Sequence, residues 1–179
     1  DGSSNDCSNA AGTDGTIYAI AASVTAHDLA ESFVSSQNLL AGEIVSVDTT
    51  TSEKVVRTEG SAVIVGAVST KPGLVLGWGG PNEYPVALTG RTPIKVNGEG
   101  GAIEIGDRIT ISSVAGIGKK VSGAGEVVGV AMERFDGQGG GAIMSFILPQ
   151  WWDGSSASSV TTQTVSSTVD TNGVLAVQD

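Results

Sequence analysis

The residue types of a hydrolase site lie near the start of the chain, where His27 and Asp28 are followed by Ser32. A catalytic triad, however, is defined by three-dimensional geometry and not by nearness in sequence. No nucleophile-elbow motif accompanies these residues. We therefore predict a loop with a solvated histidine, no catalytic residues and no enzymatic activity.

Two further patterns suggest ligand chemistry without specifying it. Glu99, Glu104, Asp107 and Asp136 carry oxygen atoms of the kind that Ca²⁺ prefers, but their spacing matches no EF-hand. The glycine-rich residues 136–141 precede a strand-like segment, whereas a phosphate-binding loop precedes Lys-Ser/Thr or opens a helix. The sequence predicts neither a metal nor a cofactor.

Cysteine and tryptophan are the remaining residue types that could react with or bind a partner. Cys7 is the single cysteine, so it forms no internal disulfide and fits no metal-ligand spacing. We interpret it as a small exposed or half-buried residue, with an intermolecular disulfide or a lipid-linked role as alternatives. Trp78, Trp151 and Trp152 are candidates for contact with a surface glycan or a protein. For Trp78 the alternative is that the ring packs over an adjacent sheet edge.

Charge and composition narrow the class of partner. The formal net charge is −10, and all nine Lys and Arg residues lie between Lys54 and Arg134. An acidic surface repels phosphate backbones, so we predict no nucleic-acid partner. No run of 18 apolar residues is present, which predicts no membrane span. The start at Asp1 without methionine is typical of a secreted mature chain, or of a chain cut at a chosen boundary.

β-strands are the elements predicted to position these residues. Short runs rich in β-branched residues alternate with glycine-bearing turns between positions 41 and 148. The fold class predicted is all-β: a compact sandwich or barrel of short antiparallel strands, with strand-forming arms at both ends. We predict a flexible arm at 1–15, a β-domain at 16–152 and a Ser/Thr-rich tail at 153–179. Val65 and Val130 are predicted core residues.

Local signals give more detailed predictions. Thr25 with Asp28 resembles a helix N-cap, which predicts one short helical turn within residues 25–33. Residues 41–48 and 54–57 read as a β-hairpin. Pro85 and Pro93 each remove a hydrogen-bond donor, so strands are expected to begin there or to border an edge.

Both ends of the chain contain segments that read as strands in need of a partner. Residues 17–24 are apolar on both faces, which favours burial between layers or insertion into another subunit. The tail is either an O-glycosylated linker or a pair of strands around Asn172-Gly173. We favour strands, and the predicted subunit contacts are Ile17, Tyr18, Ile20, Val24, Val160, Val165, Val169, Val174, Leu175 and Val177.

Six segments within residues 26–152 share one pattern: 28–31 (DLAE), 42–45 (GEIV), 65–77 (VGAVSTKPGLVLG), 85–91 (PVALTGR), 105–107 (IGD) and 128–133 (VGVAME). Together they resemble a β-rich domain near the C-terminus of large bacterial surface and phage tail-fibre-like proteins. That group is similar to tail-appendage domains that include intramolecular chaperone autoproteases. The resemblance implies a fibrous, extracellular, self-associating context. No catalytic Ser-Asp or Ser-Glu pair of the autoproteolytic relatives can be matched here residue by residue.

Three functions are consistent with these observations. The leading hypothesis is a structural subunit of an extracellular fibre or surface filament, a homopolymer joined by β-strand addition. The second is a carbohydrate- or surface-binding β-module that uses the tryptophans. The third is a remnant of an intramolecular chaperone or autoprotease.

Overall fold

The computed structural model describes residues 26–77 and 80–155, together with the backbone of 167–169 and 175–177. Ten strands form one sheet and two more pair with each other. In chain order, β1 to β12 are Asp28–Val34, Ile44–Val47, Val55–Arg57, Ile64–Val68, Leu74–Leu76, Glu83–Asn97, Arg108–Ile111, Gly118–Lys120, Gly125–Ala131, Gly140–Trp152, Ser167–Val169 and Leu175–Val177.

The 15-residue strand β6 is shared by the two halves of the main sheet. From Glu83 to Gly90 it pairs with β1, and from Gly90 to Asn97 it pairs with β10, antiparallel in both cases. Gly90 pairs with both strands, so β1 and β10 lie on opposite sides of β6 and their pairings meet at this residue. Gly90 has a φ of 100°, and a Cβ there would lie 2.3 Å from the carbonyl oxygen of His27. Only glycine permits this approach and this backbone conformation.

The pairings close two rings of five strands that share β6. The first ring runs through β10, β9, β7 and β8, and β8 returns to β6 through the parallel pair of Val96 with Gly118. The second ring runs through β4, β2, β3 and β1, and a single bridge between Lys54 and Val34 joins β3 to β1. β5 lies outside both rings and pairs in parallel with β1. Closure of this kind removes most free strand edges.

Two apolar clusters fill the fold, built from small aliphatic side chains as the scarcity of aromatic residues requires. The larger cluster contains residues of both rings: Ile44, Ile64, Ala67, Ala87, Ile94, Val96, Ile103, Ile109, Val128, Ala131, Ile143 and Ile147. The smaller one belongs to the second ring and its adjoining loop: Leu39, Val45, Val55, Val68 and Val86. β6 contributes to both clusters, which explains why its residues 86 and 87 are both buried.

The predicted all-β fold is confirmed, as is the hairpin of β2 and β3. The only helical element in the described ranges is a 3₁₀ turn at Gly98–Gly100. Two features differ from the prediction of short antiparallel strands. β6 and β10 have 15 and 13 residues, and the pairs β1–β5 and β6–β8 are parallel. The division at residues 15 and 152 stays a prediction.

Three local predictions were wrong. Residues 28–34 form β1 instead of a helical turn, because β5 and β6 supply hydrogen-bonding partners on both sides. Val65 and Val130 are half-buried, while their neighbours Ile64 and Val128 lie in the core. β6 runs through Pro85 and Pro93 without a break, so no strand begins at either proline, although each borders an unpaired part of β6 as the alternative prediction had it.

The position of the two prolines has a physical reason. β1 and β10 lie on opposite sides of β6, because Gly90 is registered with Asp28 of β1 and with Ile147 of β10. β4 pairs on the side of β10, only at Val86 and Ala87, and β8 pairs on the side of β1, only at Val96. Each half of β6 therefore has one sparsely paired side. Pro85 lies next to the β4 pairing and Pro93 lies between the pairings of β1 and β8, so the missing N–H groups break no strand pairing.

The tail strands β11 and β12 pair antiparallel, with Thr168 opposite Ala176. This agrees with the prediction of a strand pair around Asn172-Gly173, although those two residues lie outside the described part. Within the described ranges, no helix has the length and apolarity needed to cross a membrane.

Candidate functional site

The Asp28 region carries a hydroxyl–carboxylate pair. Ser69 Oγ donates a 2.5 Å hydrogen bond to Asp28 Oδ2, and both residues are buried. The side chain of His27, by contrast, is exposed. A buried pair without access for a substrate does not support hydrolysis. This hydrogen bond links the first residue of β1 to the residue that follows β4.

The side chains of the acidic residues considered as Ca²⁺ ligands each bond to a different neighbour, and Asp107 Oδ2 also accepts a hydrogen bond from the Glu104 amide. The pairs are Glu99 with Lys119, Glu104 with Arg134, Asp107 with Lys120, and Asp136 with the Gln138 amide. No group of three metal-ligating side chains occurs in the described ranges. The carboxylates act there as local cross-links between turns and strands.

A groove of about 580 Å³ lies beside Trp151, at the end of β10. A register shift between Ile147 and Gln150 adds one residue to β10. This bulge turns Trp151 to the face opposite that of Ile147. The ring of Trp151 is 64% exposed, and Glu126 lies directly across from it on β9. The groove is lined by three stretches of chain: residues 60–64, 110–113 and 124–126, together with Glu99 and Lys119.

One wall of the groove carries a neutralised charge pair. Lys119 Nζ lies 2.5 Å from Glu99 Oε1, and the Ser113 amide donates a 2.6 Å bond to Glu99 Oε2. These bonds, the Lys119 contact first, lower the pKa of Glu99 to about 2. The carboxylate is therefore ionised and held in place at neutral pH. The carboxylate of Glu126, which also lines the groove, has no hydrogen bond or ion pair with the described residues.

Trp152 has a different environment from Trp151. The Arg108 guanidinium lies 5.7 Å from the centre of the Trp152 ring, a cation–π distance. Trp152 Nε1 also donates a 3.1 Å hydrogen bond to the Ser155 carbonyl. Hydrogen bonds from the Ser155 hydroxyl and amide lower the pKa of Asp153, the residue that follows Trp152. Trp152 thus stabilises the end of β10, whereas Trp151 makes no hydrogen bond or cation–π contact with the described residues.

β5 provides the open edge of the main sheet. It pairs with β1 on one side, and no strand pairs with its other side in the described part of the chain. Leu74 and Leu76 point to the same face and are 49% and 47% exposed. The edge of β3 is partly covered, because Arg57 N donates to Gln37 Oε1 and Lys54 bridges to Val34.

Most predicted contact residues fall outside the described part of the chain. These are Ile17, Tyr18, Ile20, Val24, Val160, Val165 and Val174 among the subunit contacts, and Trp78 among the ligand contacts. Val169 lies in β11, and Leu175 and Val177 lie in β12. Their roles, like those of Trp151 and Trp152, stay predictions.

Neither the β5 edge nor the walls of the Trp151 groove was predicted from the sequence. No strand was predicted at residues 74–76, although Leu74, Val75 and Leu76 are all apolar and have strand-forming character. The groove joins residues about 40 to 90 positions apart, such as Ala62 and Trp151. Such a juxtaposition depends on ring closure, which leaves no trace in local spacing.

Comparison with known proteins identifies the fold and not a family. No family model and no curated protein matches the chain. A crystal structure of the pre-mature bacteriophage phi29 gene product 12 matches with a TM-score of 0.51 and 17% identity, over 74% of this chain and 23% of that one. A C-terminal fragment of the same protein matches with a TM-score of 0.49 and 16% identity, over 68% of this chain and 100% of the fragment.

The first of these likenesses shows that the β-domain has the fold of part of a bacteriophage protein. At that identity it carries no information on activity. The chain spans about a quarter of the length of the gene product 12 chain that it matches. The resemblance to phage tail-fibre-like domains is therefore supported at the level of the fold.

Proposed function

We propose that this chain is a structural subunit of an extracellular fibre or surface filament, in which each copy adds a strand to the sheet of the next. The observation that carries the proposal is the open edge of β5, on a sheet whose other strands are closed into rings. The fold likeness to a bacteriophage protein and the sequence resemblance to fibre-associated domains support the structural role.

The β5 edge has the properties of an acceptor. Its outer backbone groups lack a strand partner in the described ranges, and an added strand would satisfy them. Leu74 and Leu76 would lose their remaining exposed surface against alternate side chains of the incoming strand. An uncovered edge with two exposed leucines would otherwise favour aggregation.

Charge favours a donor from the arms of another copy. Lys71, two residues before Gly73, and Arg91 have no ion-pair partner in the described part. The two sites are neighbours in the fold, because Gly73 N bonds to Asp28 O and Arg91 N bonds to His27 O. The arms at 1–25 and 156–179 contain only acidic charges. Each exposed ion pair contributes little, so charge guides orientation more than it adds stability.

We assign the donor role to residues 17–24. β11 and β12 already pair with each other, so each of them has used one of its two edges. Residues 17–24 are apolar on both faces, as a strand buried between a sheet and another layer requires. Because the donor and acceptor surfaces differ, the contact is heterologous, and its repetition gives an open filament unless the rotation closes a ring.

Deletion and edge substitution test the proposal together. Removal of residues 1–24 and, separately, the change Leu76→Lys should abolish assembly, since lysine on an edge opposes strand addition. Removal of residues 158–179 should leave assembly unchanged. Ile105→Lys is the matched control, because Ile105 is 64% exposed and lies outside β5. Assembly is measured by light scattering after size exclusion and by negative-stain imaging.

Two results would refute the proposal. The first is an intact chain that stays monomeric at every concentration. The second is a Leu76→Lys variant that assembles as well as Ile105→Lys. If removal of 158–179, and not of 1–24, abolishes assembly, the filament survives but the donor is the tail.

A further inference from the structure

We infer that the groove beside Trp151 binds a neutral carbohydrate. The inference does not depend on strand addition, since no residue of β5 lines the groove, which is built from β7, β8, β9, β10 and the loop before β4. It is argued from an exposed indole ring, a carboxylate across from it that has no partner among the described residues, and a polar pair of Glu99 with Lys119.

The exposed ring of Trp151 is the main observation. A ring that packs over its own sheet would be largely covered, but this one is 64% exposed, and Val63 on the facing wall is 66% exposed. Trp152, the next residue, is fixed by Arg108 and by its bond to Ser155. Among the described residues, polar contacts therefore hold Trp152 in place, while the adjacent Trp151 lies exposed beside the groove. Its volume of about 580 Å³ falls within the range of small-molecule sites.

The polar groups of the groove suit hydroxyl groups. The Glu126 carboxylate lies across from Trp151 in the strand register and has no partner in the described ranges, so it can accept hydrogen bonds. Ser113 and Ser61 line the same groove. A pyranose offers an apolar C–H face for the indole and hydroxyl groups around its rim. The pyranose therefore complements this groove, in which the indole ring is an apolar surface and polar groups lie around it.

The charges favour a neutral ligand. Lys119 is already paired with Glu99, so the groove offers no free cation to an anionic sugar. Glu126 leaves one uncompensated negative charge there, on a chain with a net charge of −10. Acidic glycans are therefore repelled. A cationic ligand would be attracted to Glu126, but its binding would weaken with salt, unlike stacking on the ring.

The test uses the full chain on an array of neutral, anionic and amine-bearing glycans. The retained neutral glycan is then titrated while tryptophan fluorescence is followed. Trp151→Ala should weaken the affinity at least about tenfold, which corresponds to about 1.4 kcal/mol. Glu126→Gln should weaken it several-fold and leave it insensitive to salt.

Leu148→Ala is the matched control, because Leu148 lies on the same strand and is 44% exposed but does not line the groove. It should bind as the unchanged chain does. Equal denaturation midpoints show that Trp151→Ala remains folded. Retention of no neutral glycan, or equal affinity of the Trp151→Ala and unchanged chains, would overturn the inference. Binding of amine-bearing glycans only, lost in salt, would overturn it as well.

Discussion

Truncation of Ile94 tests whether β6 forms the common wall of the two rings. Ile94 lies in the second half of β6, is fully buried and faces Ile143 on β10. It belongs to the larger apolar cluster. The change Ile94→Ala therefore leaves a void where β6 and β10 meet. Ile105→Ala removes the same atoms from a side chain that is 64% exposed.

The magnitude follows from the atoms removed. Three buried carbons at about 0.8 kcal/mol each give about 2.4 kcal/mol of lost transfer free energy. The unfilled cavity adds to this, and measured Ile→Ala changes in cores fall at about 2–5 kcal/mol. We expect a loss of about 3–4 kcal/mol for Ile94→Ala. For Ile105→Ala we expect less than about 0.5 kcal/mol, as for other exposed substitutions.

Urea denaturation followed by far-UV circular dichroism measures both changes. The slope with denaturant should be the same in the two variants and in the unchanged chain, so that the midpoint alone reports stability. A loss below about 1 kcal/mol for Ile94→Ala, or equal losses in both variants, would refute the placement of Ile94 in the wall.

Two further predictions concern polar contacts. The pKa of Glu99 is lowered to about 2 from 4.5, so its contribution to stability is present above pH 4.5 and is lost as the pH falls toward 2. Glu99→Gln should lower the thermal midpoint slightly at pH 7 and not at pH 2; an equal difference at both pH values would contradict this. Ser69→Ala removes the hydroxyl that bonds to buried Asp28 and should cost about 1–3 kcal/mol in urea denaturation. No loss beyond that of exposed Ser61→Ala would show that the bond is not needed.

Strand positions were largely predictable, because β-branched runs between glycine turns are a local signal. β2 and β3 lie within the two segments predicted as a hairpin, and β4 and β9 lie within the range 41–148 in which short strands were predicted, whereas β10 runs past that range to Trp152. The faces of those strands were less predictable. In β4, Ile64 belongs to the larger cluster and Val65 packs against the smaller one, so apolar alternation cannot show which side is the deeper.

The error at residues 25–33 has a similar cause. Asp28 stands three residues after Thr25, the spacing of an acid in the first turn of a capped helix. Its carboxylate instead accepts a hydrogen bond from the Ser69 hydroxyl in the protein interior. Partners supplied by β5 and β6 outweigh the local helical preference. The residues near Asp28 in the sequence do not predict its bond to Ser69, because Ser69 is 41 positions away.

The candidate site, like the fold, was predictable only in part. Trp151 was identified because exposed tryptophan is informative in any fold. The groove walls and the β5 edge were not identified, because they depend on which strands become neighbours. At Gly90 β6 pairs with β1 on one side and with β10 on the other, and one glycine among 26 does not predict that arrangement.

Cross-linking between copies tests the central claim most directly. In a Cys7→Ser background, one population carries Ile20→Cys, and a second, of different mass, carries Leu74→Cys or Leu76→Cys. The two are mixed under mild oxidation. A disulfide requires Cβ atoms within about 4.5 Å, so only strand neighbours should react. We predict mixed dimers with position 74 or 76 and far fewer with an Ile105→Cys control. Equal yields at all three positions, or no mixed dimer, would contradict strand addition by residues 17–24 at β5.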